Sequence, residues 1–139
     1  MEMNFKIFRF DPEVERKPHY QTYRVSAHPT ERILDCLNRI RWEQDGTLGY
    51  RMSCGHGVCG SDAMKINGHC ALACQKLVRD YQGQEVVLEP LPSFKILKDL
   101  IVDLEPFFEK VRLMRPYLIS SIEPPEKERR QCAQQIILI

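Results

Sequence analysis

Most of the six cysteines in this 139-residue chain lie in one short stretch, and their thiols are the groups best able to do chemistry. Thiolates bind soft metals and exchange electrons, so clustered cysteines favour a metal or redox site. A disulfide framework is typical of secreted domains, but the start of the chain has neither the basic nor the apolar part of a secretory signal. The stretch contains Cys54, Cys59, Cys70 and Cys74.

The spacing of these residues indicates iron–sulfur ligation. A [2Fe–2S] cluster can be bound by the pattern C-x4-C-x2-C followed by a more distant fourth cysteine. Cys54 and Cys59 have the first spacing, but Asp62 stands at the third position. Cys70 is a softer ligand nearby and competes with Asp62 for that role. We predict that the cluster ligands are Cys54, Cys59, Asp62 and Cys74.

Glycines fill the loop that carries the first two of these ligands. Residues 49–60 are too rich in glycine for a helix or strand, and this composition suits a loop wrapped closely around a ligand. A cluster with four anionic ligands is negatively charged, and glycines let backbone N–H groups approach its sulfurs. Arg51 and Lys65 add positive charge nearby.

Other uses of the cysteines have less support. A structural zinc site made of Cys54, Cys59, Cys70 and Cys74 would not need so long a glycine loop. Cys70 and Cys74 could form a redox-switch disulfide, but residues four apart on a strand lie rather far from each other.

The histidines are expected to face solvent rather than to bind metal. Cys54-Gly-His56 matches half of a Rieske ligand set, yet no second histidine follows Cys74 at a useful spacing. We therefore interpret His56 and His69 as loop residues exposed to water.

Composition excludes several classes of protein. Hydrophobic residues make up 43% of the chain and charged residues 28%, which is typical of a globular domain. The net charge of +1 gives no electrostatic argument for nucleic-acid binding. No apolar run approaches the roughly 18 residues that a membrane-spanning helix needs.

Hydrophobic periodicity predicts strands before, within and after the cysteine stretch. Asn67-Gly68 favours a type I′ turn between two of them, and His69 is an extra residue that obscures their register. The predicted strands are residues 5–10, 20–25, 63–66, 70–73 and 85–91.

Two helices are also predicted. In the first, Ile33, Cys36, Leu37 and Ile40 share one face, so Cys36 should point into the core. This helix follows Pro29 and ends near residues 45–46.

The second predicted helix covers residues 107–118, with a proline near each end. Residues 95–104 have no clear pattern, and residues 123–130 are predicted to be a charged linker before an apolar end.

The cysteine stretch resembles the iron–sulfur subunit of succinate dehydrogenase (respiratory complex II) and of the related fumarate reductases. The similarity extends over residues 4–123. It implies an α+β fold, with a β-grasp, plant-ferredoxin-like [2Fe–2S] domain at residues 1–105 and a helix and linker at 106–139. Some bacterial members have Asp at the third ligand position, which supports Asp62. The segments that resemble the family most closely are Arg51-Met-Ser-Cys-Gly-His-Gly-Val-Cys-Gly-Ser-Asp-Ala-Met64, Ile66-Asn-Gly68 and Leu72-Ala-Cys74.

Complete family members continue into a helical domain that carries [4Fe–4S] and [3Fe–4S] clusters and part of the quinone site. Cys132 alone cannot bind a cluster, so we expect this chain to be the N-terminal portion of such a subunit.

The resemblance implies an electron-transfer subunit of an oxidoreductase. Its cluster would accept electrons from the flavoprotein (FAD) subunit, and the missing domain would contact the membrane-anchor subunits. The complex would lie on the cytoplasmic side of the inner membrane. No residue of this chain is then needed for acid–base catalysis, and the fragment alone would not be catalytic.

The alternatives are a stand-alone ferredoxin-like carrier and a zinc-stabilised interaction module. A free carrier usually has a lopsided surface charge that steers it to its partners, and the balanced charge disfavours this.

Overall fold

A computed structural model describes residues 1–124 and 126–127, and its main feature is a five-stranded mixed sheet. The helices are α1 (Ile33–Glu43) and α2 (Glu105–Met114), with a short 3₁₀ helix at Val78–Tyr81. The strands are β1 (Glu2–Arg9), β2 (His19–Ser26), β3 (Ala63–Ile66), β4 (His69–Leu72), β5 (Val86–Glu89), β6 (Ile96–Lys98) and β7 (Ile101–Val102). This arrangement confirms the α+β fold class.

The sheet has the order β2-β1-β5-β3-β4, and β6 and β7 form a separate small sheet. β1 is antiparallel to β2 but parallel to β5, so the chain between β1 and β5 must cross back over the sheet. That intervening chain contains α1, the cysteine loop and the β3–β4 hairpin.

The core lies between one face of the sheet and α1. Alternate residues of β1 are buried, as a half-buried strand requires. The predicted helix face is confirmed, since Cys36 and its neighbours at helical spacing are fully buried. Leu34, which the pattern did not include, is buried as well.

The β3–β4 hairpin corrects one expectation from the sequence. His69 is the first residue of β4 and pairs with Ile66, so it does not disturb the register. Asn67 and Gly68 have φ values of 44° and 86°, as the type I′ turn requires. His69 is exposed, as predicted, but it lies in a strand rather than a loop.

The chain after β5 differs from the predictions in two places. Residues 95–104, left unassigned from the sequence, contain β6 and β7. α2 ends at Met114 instead of Leu118, because Arg115 adopts a left-handed φ of 49° immediately before Pro116.

Of the predicted 123–130 linker, residues 125 and 128–130 lie outside the described residues, as does Cys132 with the apolar end.

Residues Met1–Pro106 form one compact unit, and a second unit begins at Phe107. None of the α2 residues, all of which the structure describes, is buried. Among the helices that the structure describes, none is long and apolar enough to cross a membrane.

A buried arginine connects β1 to the chain that leads into the cysteine loop. Arg9 donates from Nε to Asp99 Oδ1 (3.0 Å) and from Nη1 to Tyr23 Oη (2.5 Å) and Asp45 Oδ2 (2.6 Å). Its Nη2 donates to Thr47 Oγ1 at 2.8 Å. Hydrogen bonds from the Thr47 and Tyr23 hydroxyls, and then from Arg9, hold the pKa of Asp45 well below its usual range.

Asp99 joins the hydrogen bonds of Arg9 to the backbone at Phe10 and Gly49. Its carboxylate is 1% exposed and accepts the backbone N–H groups of Phe10 and Gly49 at 2.9 and 2.8 Å. A Cβ atom at Gly49 would lie 3.3 Å from Asp99 Oδ2, so the Asp99 carboxylate packs directly against the Gly49 backbone. The chain entering the cysteine loop is therefore held at residues 45–49.

Replacing Arg9 with Met should destabilise the protein by about 3 kcal/mol, because Asp99 would stay buried without its cation. Urea unfolding measures the change. The matched control is Arg24→Met, since Arg24 is exposed and lies 4.0 Å from Glu2; it should cost no more than about 0.5 kcal/mol. Equal losses in the two variants would contradict the structural role of the Arg9 network.

Candidate metal centre

The loop between Cys54 and Cys59 folds around the Cys54 sulfur. Cys54 Sγ accepts backbone N–H groups from His56 and Val58, both at 3.4 Å, and from Cys59 at 3.3 Å. These contacts require the chain to turn back sharply, and Gly55 and Gly57 permit this with φ values of 69° and 82°. The loop thus presents its N–H groups to one sulfur.

Cys59 has donors of its own. Its Sγ accepts the Ser61 backbone N–H at 3.4 Å and lies 3.1 Å from the Ser61 hydroxyl. Cys59 is exposed and Cys54 is half-buried, so this pair of thiols lies near the surface. The Cys59 backbone N–H is one of the donors to Cys54 Sγ, so the two residues are in contact.

Asp62 and Cys74 form a second pair, and both are buried. Asp62 is 3% exposed and Cys74 2% exposed. Asp62 Oδ2 accepts the Cys74 backbone N–H at 2.6 Å, while Asp62 Oδ1 is buried and has no hydrogen-bond partner. A buried carboxylate oxygen without a partner is costly, so this atom is suited to a positively charged ligand.

Cys54 and Cys74 differ in how well their surroundings favour the thiolate. The N–H groups of His56, Cys59 and Val58 lower the pKa of Cys54 to about 6. Burial, and then the Asp62 carboxylate, raise the pKa of Cys74. Thiolate is therefore favoured by the loop at Cys54 and disfavoured by burial and a neighbouring carboxylate at Cys74.

The N-terminus of α1 fixes the main chain around Cys74. The Ile33 N–H donates to the Lys76 carbonyl at 2.9 Å, and the Leu34 N–H donates to the Ala73 carbonyl at 3.1 Å. Both are first-turn groups without a partner inside the helix. The helix end thus holds the chain on both sides of this cysteine.

Arg32 connects the same helix end to the cysteine loop. Its Nη1 donates to the Gly55 carbonyl at 2.5 Å. Sequence reasoning missed this residue, because nothing in the local pattern shows that position 32 and position 55 meet.

The remaining candidates lie apart from these pairs. Cys70 is exposed on β4 opposite Lys65 and lines a cavity of about 360 Å³ with His69 and Lys76. His56 is exposed, as predicted. Cys36, Cys54, Cys59, Cys70 and Cys74 are all free thiols.

Within the part of the chain that the structure describes, no three Cys, His, Asp or Glu side chains gather as a site for one metal ion. A [2Fe–2S] cluster has two irons and two ligand sites on each, so two pairs of anionic ligands suit it better.

Comparison with known proteins agrees with this chemistry. Residues 4–109 match the family described as 2Fe-2S iron-sulfur cluster binding domain. The chain belongs to this family. The [2Fe–2S] domain therefore covers most of the described residues, including all the predicted ligands.

Similar proteins include two curated iron–sulfur subunits. The Coxiella burnetii succinate dehydrogenase iron-sulfur subunit is 44% identical over 135 residues, which are 96% of this chain and 57% of that protein. The Haemophilus influenzae fumarate reductase iron-sulfur subunit is 38% identical over 88% of this chain and 47% of its own length. The chain thus spans about half the length of these relatives.

A solved structure has the same fold. The Mycobacterium smegmatis Sdh1 complex in the apo form contains a chain that matches 98% of this one with a TM-score of 0.76 and 26% identity. The match covers 56% of that chain. The expected ferredoxin-like fold agrees with this similarity.

Replacing Arg32 with Met should loosen the cysteine loop in the metal-free protein. The N–H groups of His56, Val58 and Cys59 should exchange with deuterium about tenfold faster, the equivalent of one charge-assisted hydrogen bond of roughly 1.5 kcal/mol. Arg79→Met is the control, because Arg79 is an exposed arginine of the nearby 3₁₀ helix. Unchanged exchange in the Arg32 variant would contradict the role we assign to Arg32.

Proposed function

We propose that this chain is an electron-transfer subunit of a succinate dehydrogenase. It would carry electrons from the flavoprotein subunit through its [2Fe–2S] cluster toward further clusters and quinone. The observation that carries the proposal is the pairing of anionic side chains around a donor-rich loop in a [2Fe–2S] family domain. Similarity to succinate dehydrogenase and fumarate reductase subunits over 96% and 88% of the chain supports the choice of enzyme.

We assign Cys54 and Cys59 to one iron and Asp62 and Cys74 to the other. Within each pair a backbone N–H of one residue donates to the side chain of the other, from Cys59 to Cys54 Sγ at 3.3 Å and from Cys74 to Asp62 Oδ2 at 2.6 Å. Gly57, from the loop of the first pair, packs against the side chain of Gln75, which follows Cys74 of the second. The free Oδ1 of Asp62 supports a carboxylate ligand at the third position. The cluster, when bound, supplies one-electron exchange between ferric and ferrous iron.

The protein's own groups control the charge and the access of water at this site. Backbone N–H groups offset the negative charge on the sulfurs of the Cys54 and Cys59 pair. Burial keeps water from Asp62 and Cys74. No general acid or base is assigned, because electron transfer moves no proton at a substrate.

The surface near the exposed pair is suited to an electron-donating partner. Met52 lies two residues before Cys54 and Val58 immediately before Cys59, and they are 47% and 76% exposed. Exposed apolar side chains at a redox site favour docking of another protein. The flavoprotein subunit is the partner that we propose.

We further propose that residues 1–105 are the cluster domain and that residues 106–139 lead to a domain carrying the other two clusters. The end of the first compact unit at Pro106 supports this division. Contact with membrane-anchor subunits, on the cytoplasmic side of the membrane, would be made through that further domain.

The ligand assignment predicts opposite results for two substitutions of Asp62. Asp62→Cys should retain the cluster and shift its EPR signal, because thiolate donates more electron density to iron than carboxylate does. Asp62→Ala should lose most of the bound iron, since one iron then lacks an anionic ligand. Iron analysis and EPR of the dithionite-reduced protein measure both.

Asp11→Ala is the control, because it removes a carboxylate from the β1–β2 loop, away from the cysteines. A full cluster in Asp62→Ala would show that Asp62 is not a ligand.

The proposed function is tested by adding the flavoprotein subunit of a bacterial succinate dehydrogenase and succinate to the cluster-loaded chain without oxygen. We expect the visible absorbance of the cluster to bleach, and not to bleach when the flavoprotein is omitted. A cluster that dithionite reduces but flavoprotein and succinate do not would contradict the function while leaving the cluster intact.

A further inference from the structure

We propose that Gln75 is a positioning residue of the cluster site, whose side-chain amide donates to the Cys74 sulfur and raises the reduction potential of the cluster. The inference rests on the proposed function, because it concerns the same [2Fe–2S] site. It adds a residue that neither the ligand spacing nor the backbone of the loop supplies.

The Gln75 side chain turns back toward the residue that precedes it. Its Nε2 lies 4.0 Å from Cys74 Sγ and 3.4 Å from the Cys74 carbonyl oxygen. Gln75 is at the surface, whereas Cys74 beneath it is 2% exposed. The amide thus lies at the boundary between solvent and the buried sulfur.

Gly57 fixes where this amide lies. A Cβ atom at Gly57 would be only 2.8 Å from both Cδ and Nε2 of Gln75. The amide therefore packs directly over the Gly57 Cα, and any side chain at position 57 would displace it. The Gln75 amide therefore approaches the Cys74 sulfur across the Gly57 backbone.

The Cys74 sulfur needs this donor more than the others do. Cys54 Sγ accepts three backbone N–H groups, and Cys59 Sγ contacts the backbone N–H and the hydroxyl of Ser61. Cys74 instead lies beside the Asp62 carboxylate in a buried site. The positive end of the Gln75 amide dipole thus faces the Cys74 sulfur, whose buried surroundings stabilise negative charge least.

The direction of the effect follows from charge. The reduced cluster carries one more negative charge than the oxidised cluster, so an N–H donor at a ligand sulfur stabilises the reduced form more. Losing the donor must therefore lower the reduction potential, and placing a carboxylate at the same position must lower it further.

The test is redox titration of the full 139-residue chain, loaded with iron and sulfide without oxygen, followed by EPR. Gln75→Leu should have a lower potential than the native chain, and Gln75→Glu a lower one still. Gln84→Leu, at an exposed glutamine before β5, makes the same change outside the site and should leave the potential unchanged.

A second variant tests the packing over Gly57. Gly57→Ala should lower the potential, because its methyl group displaces the amide from Cys74 and because Ala is strained at the Gly57 φ of 82°. The backbone strain is present in the Gln75→Leu background as well, but there is no amide to displace there, so the same substitution should shift the potential less. Equal shifts in the two backgrounds would overturn the proposed contact.

The outcomes separate this inference from the function on which it rests. A native chain that binds no [2Fe–2S] cluster overturns both. A native cluster with an unchanged or higher potential in Gln75→Leu overturns only the role of Gln75. If neither Gln75 variant binds a cluster while Gln84→Leu does, Gln75 is needed for structure and its role in setting the potential is overturned.

Discussion

The four proposed cluster ligands are anionic and repel one another, and this repulsion is the constraint on which the rest of the account depends. Bringing thiolates and a carboxylate to one small cluster costs free energy unless N–H dipoles and iron offset their charge. The proposed ligands lie as two pairs in different surroundings. One pair lies near the surface in a loop that supplies N–H groups, and the other pair is buried beside the N-terminus of α1.

Contacts around the site fix the positions of the cysteine loop and of the chain around Cys74. Arg9 and Asp99 hold the chain before the cysteine loop, α1 holds the chain around Cys74, and Arg32 joins that helix to the loop. Each contact joins segments far apart in sequence. A short loop can thus keep a precise shape although most of its residues are exposed, because rigid elements fix both of its ends.

Local patterns in the sequence predicted the features that depend on local structure. The face of α1 containing Cys36, the Asn67-Gly68 turn and the donor-rich loop were all predicted from spacing or turn chemistry. The Arg9 network, Arg32 and Gln75 were not predicted, because their partners meet only after the sheet has formed. The end of α2 was misplaced because an apolar pattern continued past Met114, where the backbone before Pro116 cannot stay helical.

The central claim is that the paired side chains bind one [2Fe–2S] cluster, and metal analysis tests it most directly. Iron, acid-labile sulfide and zinc should be measured in the protein purified without oxygen. The account predicts iron and sulfide in equal amounts, about two of each per chain, and no stoichiometric zinc. Stoichiometric zinc without sulfide would contradict it, as would a chain that holds neither metal after reconstitution with iron and sulfide.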